Sequence, residues 1–372
     1  MTPYLVAGLI ALTITFVATP LVRSGARRCG LIDRPGDRKI HALPTPTLGG
    51  LAIFLGVLGA GLIAYLYMPD FREGLRLTSE PLGIAAGAIV IFALGAVDDV
   101  RELPAPVKLA GQIFASGLVF LAGVKMEYLL LPGNQQSIVL SDDVSVLVTI
   151  AWLVAMINAL NLVDGLDGLA AGIAAIASAA FFVYSFQLSD AFASTFVAPL
   201  AAIIILGASL GFLRYNFHPA SIFMGDSGAM LLGLLLGAAT VVAVGAAPPA
   251  GAVTTTSEVF LAYFPLLIPL MVLALPLLDA LFAIVRRARR RRSVFIADKE
   301  HIHHRLMDLG HGHRQAVIVM YVWSALAAGA ALAYSFLDQE DLIYALPIAV
   351  GALVLYTLFP LLTKVINERI SP

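Results

Sequence analysis

The chain has 372 residues, of which 60% are hydrophobic and 13% are charged, and its formal net charge is −1. Soluble domains carry about 45–50% apolar and about 25% charged residues, so this composition excludes an ordinary soluble protein and indicates an integral membrane protein. The near-neutral charge argues against a nucleic-acid partner. The single cysteine, Cys29, excludes an internal disulfide.

Apolar runs long enough to cross a membrane recur along the whole chain. A bilayer core about 30 Å thick needs about 20 apolar helical residues. Basic residues follow the first run rather than precede it, which favours a retained span over a signal peptide. Three prolines predict a kinked or broken ninth span, because each removes a backbone donor. The eleven predicted spans are Tyr4–Val22, Leu48–Met68, Gly83–Val97, Val107–Val124, Val144–Ala159, Leu169–Leu188, Ala193–Leu213, Ala229–Ala246, Val259–Val285, Ala316–Phe336 and Leu342–Ile366.

The basic residues predict the orientation of these spans. With the N-terminus outside and the C-terminus in the cytoplasm, all but Arg72, Arg76 and Lys125 of the 23 basic residues lie on the cytoplasmic side. This distribution satisfies the positive-inside rule. We therefore predict an all-α polytopic membrane protein of about eleven transmembrane helices. Residues 1–372 form a single transmembrane domain, and residues 286–315 form a basic, histidine-rich cytoplasmic loop within it.

Five unusual polar stretches share the predicted cytoplasmic side. Polar and charged residues at a membrane edge are costly, and such residues often mark functional sites. Because all five stretches lie on one side of the bilayer, we expect them to meet in one site. They are residues 33–50, 96–108, 158–168, 216–228 and 298–313.

Carboxylates dominate the stretches 96–108 and 158–168. Asp98 and Asp99 end the third predicted span, where adjacent carboxylates at a helix C-terminus favour a nearby cation. A solvated helix end is the structural alternative. Asn161, Asp164 and Asp167 recur at a spacing of three, which would place them on one helix face, and the glycine after each aspartate leaves room for a ligand. A polar turn between two spans is the alternative here.

Asp226 lies three residues before the eighth predicted span, in a stretch that begins at Asn216. One reading is structural, because an aspartate in this position would cap the helix. The other is functional, because a carboxylate can hold Mg²⁺ while free N–H groups at the helix start address phosphate oxygens.

Cationic and histidine side chains supply the remaining candidates. His301, His303 and His304 precede Arg305 with a spacing that fits no standard zinc pattern, so phosphate recognition is favoured. The nearby arginine run is typical of an anchor to anionic headgroups. Residues 38–50 add cations, hydroxyls and a glycine pair suited to an anionic lipid head.

In order along the chain, these motifs resemble those of the polyprenyl-phosphate N-acetylhexosamine-1-phosphate transferase family. The resemblance covers most of the chain. Its motifs here are Pro-Thr-Pro-Thr-Leu-Gly-Gly at 44–50, Asp98-Asp99, Asn161…Asp164-Gly-Leu-Asp167-Gly, Asn216-Phe-His-Pro…Met-Gly-Asp226-Ser-Gly and His301-Ile-His-His-Arg.

The resemblance implies a magnesium-dependent active site on the cytoplasmic side of a bacterial plasma membrane, with Mn²⁺ as an alternative ion. It implies Asp226 as a metal ligand, and Asn161 is the second ligand that we predict. The predicted catalytic residues are Asp98, Asp99, His303, His304 and Arg305. The predicted substrate-binding residues are Lys39, Thr47, Lys108, Asn161, Asp164, Asp167, Asn216 and His301.

The histidine loop separates branches of that family. The peptidoglycan-precursor branch typically shows His-His-His-Phe-Glu, whereas this chain has His-Ile-His-His-Arg at 301–305. This pattern resembles the branch that uses UDP-GlcNAc. The implied reaction moves GlcNAc 1-phosphate from UDP-GlcNAc to undecaprenyl phosphate and releases UMP, as the first membrane step of an envelope polysaccharide such as O-antigen or teichoic acid.

Three alternatives and one assembly question stay open at this point. The donor could be UDP-MurNAc-pentapeptide or another UDP-N-acetylhexosamine. A secondary transporter is disfavoured because coupling acids of transporters lie near the bilayer midplane, whereas even the nearest candidate here, Asp279, lies towards the cytoplasmic end of its span. Membrane lipids are expected partners, and a homodimer is kept as an open alternative.

Overall fold

A computed structural model describes residues 1–33, 44–130, 137–192, 196–245, 268–274 and 312–336, with short pieces at 347, 350–354 and 356–357. Several predictions concern positions outside these described residues. They are the roles of Lys39, His301, His303, His304 and Arg305, most of the 286–315 loop, and most of the ninth and eleventh spans.

Helices account for most of the described chain. Eight of them are long and apolar enough to cross a membrane, and α5 is apolar but shorter, with 17 residues. Each of the first eight predicted spans, and the tenth, coincides with a helix, so the polytopic helical class is confirmed. The total of eleven spans and the orientation stay predictions. The helices are α1 (Thr2–Arg28), α2 (Gly50–Tyr67), α3 (Pro69–Leu77), α4 (Glu80–Arg101), α5 (Ala105–Leu121), α6 (Asp142–Val163), α7 (Leu169–Phe192), α8 (Val197–Asn216), α9 (Gly225–Gly245) and α10 (His313–Phe336).

Two short antiparallel ribbons qualify the expected all-α class. Strand β1 (Ile32–Asp33) pairs with β2 (Thr45–Pro46), and β3 (Tyr128–Leu130) pairs with β4 (Ser137–Val139). Both ribbons belong to connections between helices, where backbone N–H and C=O groups need partners outside a helix. Runs of two or three residues are too short to show a strand periodicity in the sequence.

Helix α9 is the central element of the bundle. Residues 227–244 are all buried, and α9 packs against α4, α6, α8 and α2. Its sequence is apolar on every side, which is the pattern of a fully enclosed helix. The N-terminal end of this helix carries Asp226, so the position of that carboxylate is determined by the surrounding helices.

Glycines allow two helices to approach the start of α9 closely. A Cβ added at Gly95 of α4 would meet the backbone of Ser227, and one added at Gly50 of α2 would meet the backbone of Gly228. Small residues at such crossings are typical of membrane helix packing. The Gly95 contact brings Asp98 and Asp99, one turn further along α4, to the first turn of α9.

We expect Gly95→Ala to lower the melting temperature of the detergent-purified protein by several degrees. The added methyl group must push α4 away from the backbone of α9, and overpacking of this kind costs about 1–3 kcal/mol. Gly117→Ala is a matched control, because a Cβ at that helical position meets no atom within 4 Å. Equal melting temperatures for the two variants would contradict the close α4–α9 crossing.

Candidate functional site

A cavity of about 1030 Å³ lies where the five polar stretches meet. Each stretch contributes at least one described lining residue, so the predicted convergence on one site is found in the structure. The volume suits a nucleotide-sized ligand. Predicted site residues in its lining are Thr47, Asp98, Asp99, Lys108, Asp164, Asp167, Asn216 and Asp226.

Asn161 is the described candidate that the cavity lining does not include. It is half-buried and lies one turn before Asp164, near the end of α6. Its predicted role as a metal ligand stays a prediction.

The Lys108 ammonium lies between two carboxylates. It forms an ion pair with Asp98, and its Nζ is 3.0 Å from Oδ2 of Asp226. Asp98 is only 4% exposed, and its Oδ1 also accepts the backbone N–H of Leu103 at 2.6 Å. A buried carboxylate needs such partners to stay charged. The adjacent carboxylates of Asp98 and Asp99 predicted a nearby cation, and in this structure that cation is Lys108.

Asp99 binds the first turn of α9. Its Oδ1 accepts the backbone N–H of Asp226 at 2.7 Å, and its Oδ2 accepts the backbone N–H of Ser227 at 3.3 Å and the Ser227 hydroxyl at 2.7 Å. Unpaired N–H groups and the positive end of the helix dipole both favour a carboxylate here. Asp99 thus acts as a cap supplied by a neighbouring helix.

The alternative structural reading, in which Asp226 caps its own helix, is wrong. Helix α9 begins at Gly225, so Asp226 lies inside the first turn rather than before it. Gly225 has a φ of +73°, a value that favours glycine and turns the chain into the helix. Because Asp99 occupies the capping position, the Asp226 carboxylate is free to face the cavity, where it lines the wall and contacts Lys108.

Asp164 and Asp167 lie in a loop, and the predicted common helix face is therefore wrong for them. Helix α6 ends at Val163 and α7 begins at Leu169. Gly168 adopts a φ of +82°, a left-handed conformation that interrupts the helical path. The spacing of three still brings both carboxylates to the cavity, because the loop is short and tight.

Asp164 is in an environment that opposes its negative charge. Burial is the largest cause that raises the pKa of Asp164, and together with the nearby charges of Asp226, Asp99 and Asp167 it raises that pKa to about 8. A carboxyl group held this way carries its proton at neutral pH unless a cation offsets the surrounding charge. The cavity therefore has more negative charge than Lys108 alone neutralises.

These oxygen donors fit Mg²⁺. That ion commonly takes one or two carboxylates and completes its shell with waters and substrate phosphates. The carboxyl groups of Asp226 and Asp164 line the same cavity. Both are hard oxygen donors of the kind that Mg²⁺ prefers. The residues present thus match the group that the sequence motifs imply.

His218 lines the cavity and lies in the predicted polar stretch 216–228, but its sequence pattern predicted no role for it. Its Nδ1 lies 2.7 Å from Oδ2 of Asp167, and the Ala220 N–H donates to the same oxygen at 3.1 Å. The His218 ring stacks on His313 with centroids 4.1 Å apart. The sequence feature that could have predicted a site role for His218 is its position next to a proline, in the motif that contains Asp226.

Asn216 ties two loops of the site together. Its Oδ1 accepts the Gly168 N–H at 3.1 Å, and its Nδ2 donates to the carbonyl of Ile222 at 3.0 Å. The amide is buried and has a partner on each side. Its predicted role in substrate binding stays a prediction, and the structure shows that it holds the Asp167–Gly168 turn against the segment before α9.

Helix α10 docks on the same two loops. The Tyr321 hydroxyl donates to the Gly168 carbonyl at 2.5 Å, and Arg314 Nε donates to the His218 carbonyl at 2.8 Å. The sequence predicted a site role for neither residue. A tyrosine within an apolar span is usually a core residue, and an arginine at the start of a span is usually a solvated end. Only the tertiary contacts reveal that both residues support the site.

The glycine pair at 49–50 has a backbone role. The N–H groups of Gly49 and Gly50 donate to the carbonyls of Phe223 and Met224, each at 2.9 Å, and the Phe223 N–H donates to the Pro46 carbonyl at 2.8 Å. These bonds join the start of α2 to the segment before Asp226. Thr47, from the same motif, lines the cavity.

Known proteins are similar in sequence to this chain over most of its length. The family described as glycosyl transferase family 4 matches residues 81–244. The decaprenyl-phosphate N-acetylglucosaminephosphotransferase of Mycolicibacterium smegmatis is 42% identical over 361 residues, which cover 96% of this chain and 88% of the relative. The probable undecaprenyl-phosphate N-acetylglucosaminyl 1-phosphate transferase of Bacillus subtilis is 32% identical over 367 residues, covering 99% and 94%. The undecaprenyl-phosphate alpha-N-acetylglucosaminyl 1-phosphate transferase of Escherichia coli K12 is 29% identical over 311 residues, covering 82% and 77%.

A polytopic helical bundle with these relatives is a membrane-embedded sugar-phosphate transferase. More narrowly, the chain belongs to the polyprenyl-phosphate N-acetylhexosamine-1-phosphate transferase family. The resemblance inferred from its motifs is confirmed.

Proposed function

We propose that this protein transfers N-acetylglucosamine 1-phosphate from UDP-GlcNAc to a polyprenyl phosphate and releases UMP. The observation that carries the proposal is the cavity in which Lys108 and the carboxylates of Asp98, Asp164 and Asp226 converge. The names of the relatives, which specify N-acetylglucosamine and a polyprenyl phosphate, support this choice of substrates.

The proposed chemistry is a direct displacement at phosphorus. An oxygen of the lipid phosphate attacks the phosphorus nearest the sugar, the bond from that phosphorus to the UMP oxygen breaks, and UMP leaves with the electron pair. Phosphoryl transfer depends mainly on positioning and on neutralising charge. Lys108 is placed to attract the anionic lipid phosphate, and the Asp98 carboxylate accepts a proton when that phosphate arrives as the monoanion.

We also propose that the activity requires Mg²⁺ held by Asp226. When bound, the ion would neutralise the pyrophosphate of the donor. Asp164 is a second carboxyl on the same wall, and Asn161 stays a predicted ligand. The same proposal includes two further sets of predicted roles. Charge that develops during transfer would be stabilised by His303, His304 and Arg305. Substrate would be bound by Lys39 and His301.

The proposed location is the bacterial plasma membrane with the cavity facing the cytoplasm. Lys108 and Arg101 line the cavity, and the basic ends of α1 and α8, with Arg23 and Arg214, meet beside it. A concentration of basic residues at one end of membrane-crossing helices marks the cytoplasmic side.

Release of UMP by the purified protein tests the proposal. UDP-GlcNAc and UDP-MurNAc-pentapeptide are supplied separately with Mg²⁺, each with undecaprenyl phosphate and with decaprenyl phosphate. We expect UMP and a lipid-linked GlcNAc product only with UDP-GlcNAc. The faster acceptor decides between the undecaprenyl chain expected from the sequence and the decaprenyl chain named in the 42%-identical relative. Turnover with UDP-MurNAc-pentapeptide alone would refute the proposed donor.

The raised pKa of Asp164, about 8, predicts that Mg²⁺ affinity depends on pH. Below that pH the carboxyl is mostly protonated, and the ion must displace the proton to bind. The apparent affinity should therefore increase by up to about tenfold per unit from pH 6 to 8 and level off above pH 8. Calorimetric titration with MgCl₂ measures it. Asp164→Asn should weaken this dependence without abolishing it, because the carboxyl of Asp226 remains at the proposed metal site, and a flat profile for the unaltered protein would contradict the prediction.

A further inference from the structure

A second cavity, of about 730 Å³, lies beside the first and receives three arginines from three different helices. Arg23 belongs to α1, Arg214 to the last turn of α8, and Arg314 to the first turn of α10. His218 lines both cavities. We call this second cavity the arginine cavity.

The charge of the arginine cavity is not neutralised by the described protein. Among the described residues that line it there is no aspartate or glutamate. Arg23 and Arg214 form no ion pair with an acid in the part of the chain that the structure describes, while Arg314 uses its Nε–H to bind the His218 carbonyl. Guanidinium groups gathered in this way favour an anion with several oxygens, above all a phosphate.

The apolar part of the lining indicates where that phosphate comes from. Leu210 and Leu213 of α8 contribute to the wall, and Leu210 is 43% exposed on an apolar, membrane-crossing helix. Arg23 follows directly on the apolar run of α1. The cations therefore lie at the ends of apolar, membrane-crossing helices, where lipid headgroups are expected, and apolar side chains lie next to them, as a phospholipid requires and a soluble anion does not.

We propose that the arginine cavity binds the phosphate of an anionic phospholipid from the surrounding membrane. The proposal concerns a site separate from the one that contains Asp226, and it does not depend on the reaction assigned there. Arg314 links the two, because it contacts the His218 carbonyl while His218 holds Asp167. A bound headgroup would keep Arg314 in place and so support the Asp167 side of the reaction cavity.

Native mass spectrometry of the detergent-purified full chain tests this binding. Phosphatidylglycerol and phosphatidylcholine are added in separate arms, and a third arm adds inorganic phosphate to the phosphatidylglycerol complex. We expect retention of phosphatidylglycerol over phosphatidylcholine, and at least tenfold weaker retention in the variant carrying both Arg23→Gln and Arg214→Gln. Arg314 is left unchanged because it holds the His218 carbonyl.

Arg28→Gln is the matched control. Arg28 is an exposed arginine near the end of the same helix as Arg23, but it does not line the arginine cavity. A loss of lipid in this variant equal to that in the double variant would show only general attraction to a basic surface and would overturn the proposal. Equal retention of phosphatidylcholine would overturn it too. Displacement by an equal concentration of inorganic phosphate would assign the site to a soluble anion instead of a lipid. If the double variant unfolds, the two single variants and the lipid comparison on the unaltered protein decide.

Discussion

Replacing Asp226 with asparagine is expected to lower the rate of UMP release by about a thousandfold or more, which corresponds to about 4 kcal/mol of transition-state stabilisation. The amide keeps the size of the side chain but removes the negative charge that would hold Mg²⁺. It also removes one of the two carboxylates that contact Lys108. Because Asp226 caps no helix itself, the melting temperature should change by only a few degrees.

Asp142→Asn provides a comparison for that variant. Asp142 also lies in the first turn of a membrane-crossing helix, but it is exposed and does not line the cavity. Its replacement should leave UMP release within about twofold of the unaltered protein, as for most surface changes. Substantial activity in Asp226→Asn, measured at saturating Mg²⁺, would remove Asp226 as the proposed metal ligand.

Asp99→Asn is expected to lower both the melting temperature and the activity. Asp99 accepts two backbone N–H groups and one hydroxyl at the start of α9. An amide in its place retains only one oxygen acceptor, and its NH₂ group faces donors. Loss of a cap costs about 0.5–2 kcal/mol, and bonds to a charged acceptor are worth more than neutral ones. We expect a decrease of several degrees, measured by thermal unfolding in detergent, with a loss of Asp226 positioning.

Asp98→Asn separates positioning from chemistry. Its side chain contacts Lys108, the Leu103 N–H and the Asp226 side chain, but it accepts no backbone N–H from the first turn of α9. This variant should lose activity with a smaller decrease in melting temperature than Asp99→Asn. A fully stable but inactive Asp99→Asn variant would instead indicate that Asp99 takes part directly in the reaction.

The helices were the most predictable part of this protein. A lipid environment leaves backbone groups no partner except one another, so long apolar runs must become helices. The runs at Tyr4–Val22 and Ala229–Ala246 correspond to α1 and α9. The ribbons were not predictable in the same way, because two- and three-residue strands depend on which connections happen to meet.

Eight of the predicted site residues line one cavity, but the separate contacts that each of them makes were not predictable from the sequence. Asp98, Asp99 and Asp226 were recognised as acids gathered at one membrane face. Their separate roles depend on contacts between α4 and α9 across more than a hundred residues of sequence, made close by Gly95. Composition and spacing carry no record of such a crossing.

Supporting residues were the hardest to find. Tyr321 occurs in an apolar span, where its hydroxyl gives no sign of the loop carbonyl that it contacts. His218 was visible within a motif, but its partner Asp167 belongs to a different loop. In both cases the informative fact is a pairing in space between segments that are distant in the chain.

The burial of residues 227–244 of α9 has a mechanical consequence. Bilayers of different thickness act on the helices that touch acyl chains, chiefly by changing their tilt. Residues 227–244 are buried among other helices, so no acyl chain presses on the helix that carries Asp226. Stretching or thinning of the membrane therefore reaches Asp226 only through the surrounding helices, among them α4, which carries Asp98 and Asp99.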